Sequence, residues 1–274
     1  MKVLCRVTAF SLAIFFIVSC GTIKKTVPPR YHFDIGKTLQ YQIKGNADVS
    51  IDAGIIKTSG KMDYSALLEI TAIETNAAGY KLHIDIRDPQ ITTPIPQIST
   101  AFYMAVNSLQ NAVATVQLTE QGQTSLSLAS QPLSGISAYA SLAFPDFSDY
   151  QGLIRGTETN LKIPVDYQNQ PLMLEFKKHT KLQNSTPSSV LITNVVLLKA
   201  FDRRELEKSV EASPMGSFKL DMFDIFQIKP GRLWEKKGTF QFSFEMPLKS
   251  GFLTITMALI GNGGFDVILT SGEK

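Results

Sequence analysis

Thr239-Phe240-Gln241-Phe242-Ser243-Phe244-Glu245-Met246 sets the reading of the whole chain. Four apolar residues alternate with four polar ones. A period of two places successive side chains on opposite sides of a β-strand. Such a strand fits an antiparallel sheet with one face on a core and the other in water. Just downstream, Phe252 to Ile260 and Phe265 to Leu269 flank Gly261-Asn262-Gly263-Gly264, a glycine cluster that predicts a tight hairpin.

The same alternation recurs upstream. Leu39, Tyr41 and Ile43 alternate with Gln40, Gln42 and Lys44. Met62, Tyr64, Ala66, Leu68, Ile70 and Ala72 face one way. Tyr80, Leu82, Ile84 and Ile86 alternate with Lys81, His83, Asp85 and Arg87. Asn76-Ala77-Ala78-Gly79 joins two of these runs as a hairpin turn. Further strands are expected at Val116–Thr119, Ser125–Ala129, Leu172–Lys181 and Val190–Phe201.

The texture differs between Pro89 and Pro145, where 57 residues carry one charge, Glu120, against about eleven at the chain's average of 19%. Ile98, Phe102, Ala105, Val106, Leu109 and Val113 recur there at helical spacing, and Pro132 to Phe144 is weakly helical. A charge-poor helix suits the inner face of a sheet, or lipid. Pro145 to Gly152 is turn material, with a seam between two halves expected near 145–160. Asp202 to Glu211 reads as a charged exposed turn or short helix. Leu220 to Ile228 carries Asp221, Asp224 and Gln227 at every third position, which suggests a short buried helix or a docking loop. Lys229-Pro230-Gly231 is a turn. The sum is an α+β layout. It is mostly an antiparallel meander of ten to twelve strands, an incomplete barrel or strongly curved sheet, with two or three short helices.

Composition narrows the function. The 274 residues hold 27 basic and 24 acidic side chains; without Lys2 and Arg6 the balance is 25 against 24. No one-signed field remains to grip nucleic acid. The two cysteines are Cys5 and Cys20, both near the N-terminus, so the remainder offers neither disulfide nor cysteine-ligated zinc. No His-Glu-x-x-His, phosphate loop or Gly-x-Ser-x-Gly elbow occurs. His32, His83 and His179 are far apart, so no metal site is expected. Asp146 and Asp149 read as turn and helix-cap residues rather than a calcium loop. Lys177, Lys178, His179 and Lys181 read as a solvated strand face, with anionic membrane headgroups as the functional alternative. Trp234 reads as core or rim. A hydrolase built from scattered Asp, Glu and Ser has no visible constellation, and the expectation is a non-enzyme without a cofactor.

The N-terminus supplies an address. Lys2 and Arg6 precede an apolar run from Val7 to Val18, shorter than the ~20 residues a membrane span needs but suited to an export signal. The run ends Ile17-Val18-Ser19-Cys20, which resembles the bacterial lipobox. The resemblance implies cleavage between Ser19 and Cys20, acylation of Cys20, and a signal peptide over 1–19. Residues 20–30, with Pro28-Pro29, form a tether able to span ~30 Å, and 31–274 form one β-rich periplasmic domain. Gly21, in place of a retention aspartate, favours the outer membrane.

Together these features also resemble the Lol-type lipoprotein carriers and receptors, whose incomplete barrel is lidded by helices and holds acyl chains. That resemblance implies a lipid or fatty-acyl ligand, with Ile98, Phe102, Val106 and Leu109 as lid residues and Phe240, Phe242 and Phe244 lining the sheet. The alternative is a structural lipoprotein that docks an envelope protein partner.

Overall fold

The computed structural model describes residues 27–54, 56–96, 98–100, 103, 115–127, 143–167, 170–202, 215–250 and 253–271. Among these described residues eleven strands form one antiparallel sheet: β1 (Thr38–Ala53), β2 (Ile56–Asn76), β3 (Gly79–Thr92), β4 (Thr115–Leu118), β5 (Thr124–Ser127), β6 (Thr157–Tyr167), β7 (Gln170–Ser185), β8 (Ser189–Asp202), β9 (Met215–Gln227), β10 (Arg232–Ser250) and β11 (Leu253–Ser271). A short helix, α1 (Tyr150–Arg155), precedes β6. The order across the sheet is β5-β4-β3-β2-β1-β11-β10-β9-β8-β7-β6. Every neighbour is a sequence neighbour except at one join, where β1 meets β11. The chain therefore starts in the middle, meanders out to one edge, crosses to the other, and meanders back.

The expected alternation is obeyed. Tyr41, Tyr64, Tyr80, Phe240 and their period-two partners face one side, and Lys44, Asp63, Lys81 and Gln241 the other. The Asn76–Gly79 hairpin forms, its Ala78 N–H donating to Asn76 Oδ1 at 2.8 Å, with Gly79 at positive φ. Two expectations fail. Leu220–Ile228 is no helix or loop: Met215–Gln227 is strand β9, with Leu220, Met222, Asp224 and Phe226 inward and Asp221, Phe223 and Ile225 outward. Three polar residues at every third position mimicked helical spacing, but only one of the two aspartates faces water.

The glycine cluster is no hairpin either. β11 runs unbroken through Gly261-Asn262-Gly263-Gly264, and the pairing turns back only at Ser250 and Leu253. These glycines make room. Phe242 fills the space a Cβ on Gly261 would need, and Phe240 does so at Gly263. The same device recurs at Gly45 under Tyr64, Gly238 under Phe265 and Gly216 under Phe244. Each aromatic stands directly opposite its glycine in the ladder. A ring laid over a cross-strand glycine covers exposed backbone and pins the register.

One end of the concave side is sealed. Val116 and Leu118 of β4 share a core with Val190 and Ile192 of β8, strands far apart in sheet order, so the sheet curls like a half-barrel. The seal is Tyr31, Phe33, Phe144 and Phe147. Tyr31 meets Phe226 edge-on at 4.9 Å, Phe147 meets Phe226 at 4.8 Å, and Phe33 meets Tyr80 at 5.3 Å. The Tyr31 hydroxyl donates to the Pro145 carbonyl at 3.2 Å and its N–H to that of Glu120 at 2.7 Å. Packing begins at Pro29, which is buried, so the last residues assigned to the tether are docked. The segment 145–152 carries the buried plug residue Phe147 and the start of α1 as the chain crosses between the two free edges.

Replacing Gly263 by alanine is expected to cost about 1–3 kcal/mol, because its Cβ would collide with the Asn46 carbonyl oxygen and the Ala47 Cα. Gly264→Ala, whose nearest neighbour would be the Gly238 carbonyl at 3.2 Å, should cost clearly less. Urea unfolding followed through Trp234 separates the two.

Candidate functional site

Beyond the seal the concave face changes character. Phe240, Phe242 and Phe244 stand in a row along β10, ring planes 12° and 24° apart and centroids 6.2 and 5.9 Å apart. All three are half-buried, as are Tyr64, Met257 and Leu259 beside them. A filled core would bury such rings fully, as it does Phe147 and Phe226. The sheet therefore presents a broad aromatic floor at its open end. Its wall is the second apolar cluster, Phe176, Val196, Leu220 and Met222, with Leu161, Phe218 and Phe265 against it. Pro94 and Ile95 pack over Gly60 at the margin, and Ile98 follows half-buried. Phe102, Val106 and Leu109 lie outside the described residues, as do Ser19 and Cys20.

A polar belt separates sealed end from open floor. Asp224 of β9 pairs with Lys236 of β10, both buried. Its second oxygen accepts from Asn194 Nδ2 of β8 at 2.8 Å, and Asn194 Oδ1 accepts from the Thr180 hydroxyl of β7, also at 2.8 Å. Each sits at an inward position between apolar neighbours: Asn194 between Ile192 and Val196, Asp224 between Met222 and Phe226. An ion pair this deep persists only because both charges are matched and hydrogen-bonded.

Lys178 joins the belt. The basic cluster does not lie on one face: Lys177, His179 and Lys181 point outward to water, while Phe176, Lys178, Thr180 and Leu182 point in. Lys177 pairs with Glu158 outside at 2.8 Å. Lys178 lines a cavity of about 600 Å³ between the β5 turn and β6, with Thr180, Asn194, Leu161 and Thr157. Burial, reinforced by Lys236 and opposed by Asp224 and Asp146, pushes its ammonium down to about 8. Asp146 and Asp149 stand exposed at the rim, accepting from the Ser148 and Gly152 N–H groups as turn and cap residues. His83 stays on the outer face of β3, and Trp234 is exposed beside the β10 bulge. Among the described residues no group of three or more His, Cys, Asp or Glu could hold a metal ion, and no helix is long and apolar enough to cross a membrane.

The alternation found Phe240, Phe242 and Phe244. It missed Asp224, Lys236, Asn194 and Lys178, whose signal was a polar residue in an apolar period-two slot.

Asp224→Ala should cost about 3–5 kcal/mol by stranding the buried Lys236, and Asp224→Leu with Lys236→Met should recover most of that, read from urea midpoints. Lys178 adds a pH dependence. Its folded value lies below the unfolded one of about 10.4, so between pH 8 and 9.5 the unfolded chain holds more protons and stability rises with pH. The stability of wild type relative to Lys178→Met should rise from pH 7.5 to 9.5; an unchanged difference refutes the assignment. No protein-family model matches this chain and no curated protein matches its sequence.

Proposed function

We propose that this protein is a membrane-anchored lipoprotein of the cell envelope whose half-barrel binds a hydrophobic ligand, a lipid or fatty-acyl chain, without catalysis. The observation that carries the reading is the half-exposed row Phe240, Phe242 and Phe244 on a concave face whose opposite end is fully packed. Burying apolar surface against such a floor is worth about 25 cal/mol per Å², so an acyl chain laid along it gains several kcal/mol. The lipobox-like Ile17-Val18-Ser19-Cys20 supports acylation at Cys20 and an outer-membrane position facing the periplasm. The α+β description, with two or three short helices as a lid over the floor, belongs to the same proposal, as does the likeness to Lol-type carriers.

One observation favours a second reading, a lipoprotein that docks a protein partner. Phe223, Trp234 and Ile268 are exposed on the outer face of β9 to β11. Beside them lies a groove of about 700 Å³ lined by Phe223, Lys44, Lys237, Asp63 and Asp266. Exposed apolar groups with a charged surround mark docking sites.

Native mass spectrometry of the full chain carrying Cys20→Ser separates the two. A co-purifying lipid or fatty acid is expected, with Phe242→Glu weakening its retention by at least about tenfold. A clean apo mass, with no gain on adding phospholipid or fatty acid, sinks ligand binding and leaves the outer face as the working surface.

A further inference from the structure

The sealed end of the half-barrel holds a buried charge that its own packing leaves unmatched. Among the described residues three charged side chains are buried: Asp224, Lys236 and Arg232. Asp224 and Lys236 pair with each other across β9 and β10. Arg232, only 7% exposed, takes no part in that pair, and no carboxylate of the described residues forms an ion pair with it. Its Nε is buried without a hydrogen-bond partner. A guanidinium stays charged at physiological pH, and a charge withdrawn from water needs a counter-charge or hydrogen bonds to offset its lost hydration. We propose that the pocket lined by Arg232 binds a phosphate group, with the guanidinium as its counter-ion.

The fold builds this pocket from two segments. Arg232 opens β10, and the lead-in to β1 lies beside it. The His32 N–H donates to the Gly231 carbonyl and the Gly36 N–H to that of Ala72, both at 2.8 Å. Gly36, at positive φ, turns the chain into β1, and the Lys37 N–H closes that turn on the Asp34 carbonyl at 3.1 Å. The pocket measures about 210 Å³, room for about seven waters at ~30 Å³ each. Phe33 and Leu39, both members of the sealed core, form its apolar wall. Apolar walls strengthen any ion pair formed between them.

The charge balance favours an anion. Asp34 is the one carboxylate lining the pocket, against the fixed positive charges of Lys37 and Arg232. Its oxygens face His32 Nε2 at 3.7 Å and Lys37 Nζ at 3.8 Å. Assigning Lys37 wholly to Asp34 still leaves Arg232 without a counter-charge. The guanidinium fork matches two phosphate oxygens at once. The exposed Thr38, in the same lining, offers a hydroxyl to a third, an oxygen that a carboxylate lacks. The segment proposed as the tether ends at Arg30, two residues before His32, so a membrane phosphate and a soluble one are both within reach. The pocket itself depends neither on the aromatic floor nor on the anchor.

The test uses the full chain with Cys20→Ser. Glycerol 3-phosphate, inorganic phosphate and glycerol are titrated by calorimetry near pH 7.5. Flotation with vesicles of phosphatidylcholine, with and without phosphatidic acid, supplies the lipid arm. Arg232→Met is expected to weaken phosphate binding by at least about tenfold, as loss of a charge-assisted contact predicts. Arg232→Lys, which keeps the charge and loses the fork, should fall between. Lys61→Met, an exposed charge toward the other end of β1's ladder, should change nothing. Arg232-dependent flotation that requires phosphatidic acid, with weaker binding of the soluble phosphates, assigns the site to a lipid headgroup; Arg232-dependent binding of the soluble phosphates without such flotation assigns it to a free phosphate. Glycerol binding as tightly as glycerol 3-phosphate overturns the proposal, as does phosphate binding that Arg232→Met leaves unchanged, or no binding in either arm. Each of these failures leaves the reading of the aromatic floor standing. Circular dichroism checks each fold; should Arg232→Met not fold, the preference of the wild type for glycerol 3-phosphate over glycerol, and its reduction in Arg232→Lys, decide.

Discussion

The pairing of β1 with β11 holds everything else in place. Residues Gln40–Asp52 lie against Ala258–Ser271, and this single join turns two separate meanders into one sheet. Its register is fixed by shape rather than by turn geometry, since no short loop connects the two strands. Gly263 and Gly261 accept the rings of Phe240 and Phe242 from the other side, and Gly45 accepts Tyr64. A slip by one residue would set rings against side chains and turn the apolar row outward.

From that join follows the division of the concave side into two zones. Near the termini of the sheet, Tyr31, Phe33, Phe144 and Phe147 come from segments outside the strands and fill the curl completely. Tyr31 alone touches Phe33, Phe144, Phe147 and Phe226 and hydrogen-bonds to Pro145 and Glu120. Farther along, rings from the strands themselves make a floor, and among the described residues no such plug covers it. The belt of Thr180, Asn194, Asp224 and Lys236 marks the border. Its polar groups satisfy one another, which lets charge sit inside an apolar fold without forfeiting the core on either side.

Much of the sheet was legible because half-buried antiparallel strands write their two faces into alternate residues. Tyr80 to Arg87 and Thr239 to Glu245 are read without error for that reason. The failures share a cause: local composition stood in for cross-strand context. Glycines in a row normally mean a turn, yet in β11 their job is to lie beneath aromatic rings supplied by β10, and only the ladder reveals that. Two aspartates and a glutamine within Leu220–Ile228 imitate a helix because Asp224 occupies an inward slot for the sake of Lys236, whose partnership no spacing announces. Lys178 was hidden by its neighbours. Among Lys177, His179 and Lys181 it reads as one more solvated charge, although the run Phe176, Lys178, Thr180, Leu182 already places it on the apolar side.

The sheet order also dictates when the molecule can become whole. A chain leaving a ribosome or a translocation pore emerges N-terminus first, so β1 and β2 are free to pair early while the partner for β1's other edge, β11, arrives last. Until then β1 offers an unpaired row of N–H and C=O groups next to an apolar face, the surface on which strands of other chains add. Contacts spanning nearly the whole sequence make such a closure slow. The central position of β1 thus leaves that edge open until the last strand has been made.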